Sequence, residues 1–340
     1  MASSRGYRNY RGRRSKGKIA LAVVLILVIL AAVAVMALQR NIVYDEAGVP
    51  HLEVPWQKEP EEAALPDVDL VVQGPEGADL PALRGFSVEE GPLTAERWET
   101  VRSRKEAFGE APAVAITLKD GQGHVFFDAA SAVPDARDLR ADTMTALETA
   151  LKETEYAVAR IACFRDPLAA NSDVEKLGLK NTGGYIFYDG RNSQWLDPAK
   201  PEARAYLCGI IKEAAALGFD EILLADACYP TEGKLEKIDY GEAEKTASLA
   251  AFLEEARAVL EPFGTALSME VPASLVTEGA LEAAGLTLSE VASRVDRIYA
   301  PSAPEEIRSL ETAVGAAGTA AFVAEVAEAV PDFSGSWLIR

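Results

Sequence analysis

Residues 218–230 read GFDEILLADACYP, and this stretch contains the pattern that decides the fold. Gly218 is typical of a helix end, and four consecutive apolar residues (222–225) lead from there to a lone carboxylate, Asp226. A short, continuously apolar segment is typical of a strand that is buried on both faces. Because β/α barrels carry their active sites at the carboxyl ends of such strands, we expect Asp226 to lie on the functional face.

The same unit recurs along the rest of the chain. We predict eight strands, each an apolar run that ends at polar or glycine residues, over 83–88, 113–118, 156–164, 221–226, 266–270, 295–300, 320–325 and 336–339. Helical patterns separate them over 95–107, 143–154, 201–217, 241–262, 286–293 and 304–317. This alternation predicts a parallel sheet, and eight repeats predict its closure into a (β/α)8 barrel. An open doubly wound sheet is the alternative, which the missing GxGxxG after the first strand disfavours.

Three segments depart from a regular barrel. Residues 120–128 are predicted to form a glycine turn followed by an extra strand, and residues 181–196 a hairpin inserted after the third strand. Both insertions fall at the carboxyl ends of the strands, where β/α barrels carry their active sites. Residues 326–335 leave space for only a rudimentary seventh helix, and no eighth helix is predicted, so the outer helix ring is expected to be incomplete.

Charge and composition exclude several classes of protein. The chain has 340 residues and a net charge of −19, and because residues 1–40 hold eight Lys/Arg and no acid, the remaining residues hold 26 bases against 53 acids. We therefore expect no nucleic-acid partner. Two histidines and three cysteines without a CxxC pattern predict neither a metal site nor a disulfide framework, and no cofactor is expected. The cysteines are interpreted as small buried apolar residues.

The N-terminal region predicts a membrane anchor. Residues 19–38 are twenty consecutive apolar residues, long enough to cross the ~30 Å hydrocarbon core, and seven bases in the tail 1–18 place that tail in the cytoplasm. Residues 39–82 are acidic and proline-rich and predict an extended stalk, which leaves residues 83–340 as an extracytoplasmic domain on a single-pass anchor. A cleaved signal peptide is the alternative, although its apolar region is usually only ~7 to 15 residues long.

Four motifs resemble those of a known family. They are AITLKDGQGHVFFD (115–128), YAVARIACFRDP (156–167), WLDP (195–198) and the opening stretch. Together they resemble the putative glycosyl hydrolase domain family, bacterial β/α barrels that are distantly similar to alpha-amylases, over roughly residues 83–340. The resemblance implies a barrel outside the cell that acts on a polysaccharide or cell-envelope glycan.

The same resemblance implies three catalytic carboxylates. By correspondence with alpha-amylases, Asp226 is the nucleophile, Glu270 the acid/base and Glu325 the stabiliser of a retaining glycoside hydrolase. Such an enzyme needs one carboxylate that attacks and a second, protonated one that donates to the leaving oxygen. Leu224 stands where alpha-amylases place an arginine beside the nucleophile. A catalytically degenerate barrel that binds glycan or an envelope partner protein is therefore the second hypothesis.

Further residues are predicted to contact substrate: Arg165, Asp166, Trp195 and Tyr229. Arg165 and Asp166 could instead pair with each other. Tyr185 and Tyr188 would extend a sugar-stacking wall if the insertion folds over the barrel mouth, whereas packing inside a hairpin explains them equally well.

Overall fold

The computed structural model describes residues 42–44, 50–52, 80–108 and 112–340. The chain divides into two compact units, Met1–Val72 and Gln73–Arg340, and in the first the strands Ile42–Tyr44 and Pro50–Leu52 form an antiparallel pair. The predicted anchor over 19–38 and most of the predicted stalk lie outside the described residues. None of the helices that the structure describes has the length and apolar character needed to cross a membrane.

Eight parallel strands close into a barrel in the second unit. They are β1 (Arg84–Ser87), β2 (Ala113–Lys119), β3 (Ala157–Ala162), β4 (Glu221–Ala225), β5 (Ala266–Glu270), β6 (Arg297–Pro301), β7 (Ala321–Val326) and β8 (Ser336–Ile339). Neighbours along the chain pair with each other, and β8 pairs with β1. Every predicted strand overlaps an observed one, so the predicted barrel is confirmed and the open sheet is excluded.

The helices surround this barrel. They are α1 (Ala95–Phe108), α2 (Thr143–Glu153), α3 (Pro167–Ser172), α4 (Pro201–Ala216), α5 (Lys245–Leu260), α6 (Ala273–Glu278), α7 (Leu288–Ala292) and α8 (Ile307–Ala317). Of these, α3 and α6 were not predicted. Proline at the first turn of α3 and the cap at Asp166, whose side chain accepts from the Ala169 amide at 2.8 Å, are sequence features that indicate the former. The described residues between β7 and β8 form no helix, so the rudimentary seventh helix predicted there is absent and the ring is incomplete at this point.

The side chains of the barrel alternate between two cores. Outward residues pack against the helices in one large apolar cluster, while a smaller cluster that includes Leu223, Tyr299 and Val323 fills the interior. β1 and β2 approach closely at Gly85, where a Cβ atom would lie 1.9 Å from the carbonyl oxygen of Ala113. Only glycine fits at that point of the wall.

The amino-terminal end of the barrel is closed by buried polar groups. Glu221 begins β4, and its carboxylate accepts hydrogen bonds from Arg297, from the Tyr156 hydroxyl at 2.8 Å and from the Tyr299 hydroxyl at 2.7 Å. Arg297 also donates to the carbonyl oxygen of Pro81 at 2.8 Å. We call these four side chains, Glu221, Arg297, Tyr156 and Tyr299, the base network.

The two predicted insertions form loops in place of regular strands. Only two isolated bridges, Lys119 to Val125 and Val125 to Arg137, mark the predicted strand in residues 120–128, and the predicted hairpin over 181–196 likewise contains only isolated bridges. The reason is local. The side chains of Asn181 and Asp189 each accept hydrogen bonds from two backbone amides, at 2.8 to 3.2 Å, and these Asx turns replace the ladder of a hairpin.

Candidate functional site

Asp226 lies at the carboxyl end of β4 in a strained backbone conformation. Its φ angle is +46°, in the left-handed region that non-glycine residues rarely adopt. The amide of Phe164 donates to its carbonyl oxygen at 3.1 Å, which ties this position to the segment after β3. Strain of this kind persists only where the surrounding structure imposes it, and it is concentrated at functional sites.

The Asp226 side chain lines an open cleft of about 210 Å³ together with Arg165 and Trp195. Gly121, in the loop after β2, approaches both charged groups. A Cβ atom there would lie 3.1 Å from Asp226 Oδ2 and 3.4 Å from the Arg165 guanidinium carbon. We call this the aspartate cleft.

Burial raises the pKa of the Asp226 carboxyl, with Arg165 opposing that rise and the negative charge of Glu270 adding to it. Arg160 and Lys119 also oppose the rise. The sequence suggested that no arginine accompanies this aspartate, because Leu224 stands at the position used by alpha-amylases. The structure supplies arginines from β3 and from the segment that follows it.

Glu270 lies at the end of β5 and is held by two arginines. Its Oε2 atom accepts a hydrogen bond from Arg160 Nε at 2.9 Å and also contacts Arg340. Although burial alone would raise the pKa of Glu270, these two ion pairs outweigh it and lower the pKa. Arg160 Nη1 lies 3.0 Å from Glu90 Oε1, and this second ion pair further fixes the orientation of the Arg160 guanidinium.

Glu325 lies at the end of β7 with only 1% of its side chain exposed. Burial, reinforced by the charge of Glu270, raises its pKa to about 8. Arg340 Nη2 lies 2.7 Å from Glu325 Oε1, but the guanidinium is poorly aligned, and neither carboxyl oxygen accepts a hydrogen bond within the described residues. We call Arg160, Glu270, Arg340 and Glu325 the mouth network.

The pKa directions do not follow the roles that the resemblance implies. A nucleophilic Asp226 should be ionised and an acid/base Glu270 should keep its proton. In the structure, burial favours the protonated form of Asp226, whereas the arginines favour ionised Glu270. Glu270 is also absent from the lining of the aspartate cleft.

The other residues predicted to contact substrate are distributed unevenly. Trp195 lines the aspartate cleft, and its indole N–H donates to Asp189 at 2.9 Å. Tyr229 is only 1% exposed and stacks edge-on against Tyr240, so the aromatic wall cannot include it. Tyr185 is 75% exposed, outside any hairpin core.

Asp166 is fully buried, and its partner is Lys119 at 2.9 Å instead of Arg165. Lys119 also donates to the carbonyl oxygen of Ala162 at 2.8 Å. This ion pair lies inside the wall and leaves the Asp166 side chain no exposed atom for a substrate. Arg165 and Asp166 do not pair.

Sequence reasoning missed Arg160 and Arg340. Arg160 stands alone in the apolar run AVARIA of β3, and a single arginine inside a buried strand is a signal that it needs a partner there. Arg340 has no comparable signal. No group of three or more His, Cys, Asp or Glu side chains is arranged to hold a metal ion in the part of the chain that the structure describes.

Comparison with known proteins finds solved structures that are similar to this chain. Among solved structures, the glycoside hydrolase domain of PgaB (BpsB) from Bordetella bronchiseptica is similar with a TM-score of 0.52 and 17% identity, covering 72% of this chain and 84% of that one. A hypothetical protein from Ruminiclostridium thermocellum shares 27% identity, with a TM-score of 0.45, over 52% of this chain and 91% of that one. No curated protein matches the chain.

The similarity to the PgaB (BpsB) domain supports the barrel architecture alone. The model of one family, described as "Putative glycosyl hydrolase domain", matches residues 97–305, which is more than half of the chain. That span runs from α1 to the residues just before α8 and includes Asp226 and Glu270. The chain therefore belongs to the putative glycosyl hydrolase domain family.

Proposed function

We propose that this chain is a retaining glycoside hydrolase, held on the outer side of a membrane by residues 19–38, that cleaves a cell-envelope or extracellular polysaccharide. The observation that carries the proposal is that Asp226 and Glu270 lie at the carboxyl ends of the neighbouring strands β4 and β5, and that two arginines bind Glu270. Burial raises the pKa of Asp226, and the two arginines outweigh burial to lower the pKa of Glu270. Acid/base pairs in hydrolases are arranged in this way.

These pKa directions exchange the roles that the resemblance to alpha-amylases gives to Asp226 and Glu270. Asp226, in the open cleft, donates its proton to the glycosidic oxygen as the bond to the anomeric carbon breaks. Glu270 attacks that carbon and forms a glycosyl ester. Water, deprotonated by Asp226, then cleaves the ester and restores both carboxyls.

The contacts of Glu270 are compatible with attack. Both of its arginine partners bind Oε2, so Oε1 is the atom available as nucleophile. The Arg340 side chain is 37% exposed and can move when a sugar enters, whereas Arg160, at 17%, stays in the wall. Glu325, with a pKa of about 8, holds its proton at neutral pH and can donate a hydrogen bond to a sugar hydroxyl.

Anchoring is supported by the sequence. The apolar length of residues 19–38 fits a bilayer, and the seven preceding bases favour a cytoplasmic tail. Protease treatment of intact cells should remove the barrel domain while the tail stays protected. A domain that is protected in intact cells and released with the cytosol would contradict the tether.

Hydrolysis is tested on the full-length chain with a panel of polysaccharides and activated aryl glycosides. Glu270→Gln should abolish turnover of both substrate types, because the nucleophile is lost. Asp226→Asn should lose turnover of polysaccharides but keep activity on aryl glycosides, whose leaving groups need little protonation. Asp332→Asn, in an exposed loop, is the matched control. The opposite pattern for the first two variants would restore the alpha-amylase order of roles.

One observation favours the second hypothesis, a barrel that binds glycan without cleaving it. Arg340 contacts both Glu270 and Glu325, and a mouth held by such ion pairs is also suited to binding alone. Wild-type protein that binds a glycan, releases no reducing sugar, and keeps its affinity in both carboxyl variants would establish the binder.

A further inference from the structure

A second cleft lies on the β1 side of the mouth. It consists of two adjoining cavities, of about 250 and 380 Å³, that share residues 87–89 and Arg104. The first cavity extends to Arg97, and the second reaches Arg160 and Arg340 of the mouth network. We call this the arginine cleft, and it connects α1 with the mouth.

Arg104 is the most available cation of this cleft. Its guanidinium lies over the ring of Phe86, with the central carbon 4.1 Å from the ring centroid, and donates to the Ser87 carbonyl oxygen at 3.3 Å. In the described part of the chain no carboxylate forms an ion pair with it. A guanidinium has five N–H donors in a planar fork, so most of the hydrogen-bonding capacity of Arg104 remains for a ligand.

Arg97 adds a second charge. Its guanidinium donates to the carbonyl oxygens of Glu89, Glu90 and Pro92, which shapes the loop after β1. Carbonyl oxygens satisfy the donors but leave the positive charge in place. Among the described residues, Arg97 has no carboxylate partner either.

The charge balance of the arginine cleft is positive. Arg160 and Arg340 are offset by Glu90 and Glu270, while Glu325 keeps its proton at neutral pH. That leaves Arg97 and Arg104 against the single carboxylate of Glu89. On a chain with a net charge of −19, a concave surface with excess positive charge indicates a specific anionic ligand.

We propose that the arginine cleft binds the carboxylate or sulfate group of an acidic sugar, so that the glycan taken by this barrel is an anionic polysaccharide. The inference rests on the proposed function, because it places the charged sugar beside the mouth in which the neighbouring ring would be cleaved. Two oxygens of a carboxylate or of a sulfate group can accept two parallel hydrogen bonds from the fork of a guanidinium, which a lysine cannot provide.

The test measures binding of acidic oligosaccharides to the full-length chain by titration calorimetry. The ligands are oligogalacturonate, oligomannuronate and a chondroitin sulfate oligosaccharide, each with its methyl-esterified or desulfated counterpart. At least one acidic ligand should bind about tenfold tighter than its neutral form, and Arg104→Gln should remove that difference. Arg104→Lys should restore only part of it. Arg308→Gln, on α8 and outside this cleft, is the matched control.

A separate probe keeps this inference distinct from the proposed function. Inorganic sulfate should shift the Nε–Hε NMR resonance of Arg104 in the wild type, whether or not any glycan is hydrolysed. If neutral glycans are bound and cleaved as well as acidic ones, the anion site is wrong and the hydrolase stands. If sulfate shifts the Arg104 resonance but none of the acidic oligosaccharides binds, Arg104 takes only free anions and the acidic-sugar inference is overturned, whereas the hydrolase is decided separately by the turnover assays. If the acidic ligands bind no tighter than their neutral forms and sulfate leaves the Arg104 resonance unchanged, the inference is overturned.

Discussion

The two ends of the barrel both join arginine to glutamate, but they differ in how completely the charges are satisfied. In the base network, Glu221 and Arg297 are 0% and 1% exposed, and two tyrosine hydroxyls complete the hydrogen bonds of the carboxylate. In the mouth network, Arg340 is 37% exposed, and buried Glu325 accepts no hydrogen bond within the described residues. The same residue types therefore form a fully hydrogen-bonded end at the base and an incompletely satisfied end at the mouth, where carboxyls can change their protonation state.

This contrast has a physical origin. Desolvating an ion pair is costly unless further hydrogen bonds satisfy the remaining lone pairs, and the base network meets that condition. The mouth network does not, so its carboxyls respond by shifting their pKa values. Incomplete satisfaction at the mouth is the condition under which a carboxyl can exchange a proton with a substrate.

The largest effect is expected at the base. Arg297→Met should destabilise the barrel by about 3–5 kcal/mol, because it leaves Glu221 charged and buried with only hydroxyl partners. The free energy of unfolding from urea titration measures this loss. The double variant Arg297→Met/Glu221→Leu should recover much of it, since the uncompensated charge is then gone. A single-variant loss below about 1 kcal/mol would show that the base is not the firmly paired end.

A smaller, pH-dependent effect is expected for Glu325. Since its folded pKa is about 8, against about 4.5 for a glutamate carboxyl in water, the folded state holds more protons than the unfolded state between these values. Stability should therefore fall as the pH rises from about 4.5 to 8, by an amount on the order of 3–4 kcal/mol. Glu325→Gln should remove this slope. Urea titrations of both proteins across this pH range provide the comparison, and equal slopes would contradict the buried, protonated state.

Loss of an arginine at the mouth should cost less than its loss at the base. Arg340→Gln removes one ion pair of Glu270, so the pKa of Glu270 should rise, while stability changes by less than about 1 kcal/mol. Carboxyl carbon NMR titration follows the pKa, and the same urea assay follows stability. A loss as large as that of Arg297→Met would mean that the two networks are equivalent.

The smallest effect is expected for Asp226→Asn. Asparagine tolerates left-handed backbone nearly as well as aspartate, so the strain at φ +46° is unchanged. Because burial raises the pKa of Asp226, its stabilising contribution is lost as the pH rises through the folded pKa. The neutral variant should match or slightly exceed the wild type at high pH, within about 1 kcal/mol. A clear loss of stability would show that the charge is needed for folding.

The order of the barrel strands could be predicted from the sequence because each strand is encoded locally. β5 and β8 have the predicted bounds, 266–270 and 336–339, since apolar runs ended by polar residues are contiguous in the chain. The loops over 120–128 and 181–196 were predicted less well. In the loop over 181–196, hydrogen bonds that the Asn181 and Asp189 side chains accept from backbone amides outcompete strand pairing.

The sequence by itself determined which carboxyls stand at strand ends, because the two-residue period and the apolar runs fix where each strand stops. Only the tertiary structure decided which arginines reach them, since Arg160 and Arg340 are far from Glu270 in the chain and meet it only when the barrel closes. The pKa values follow from those meetings and from burial. Local patterns specify the strands, whereas electrostatics depend on distances that only the closed barrel creates.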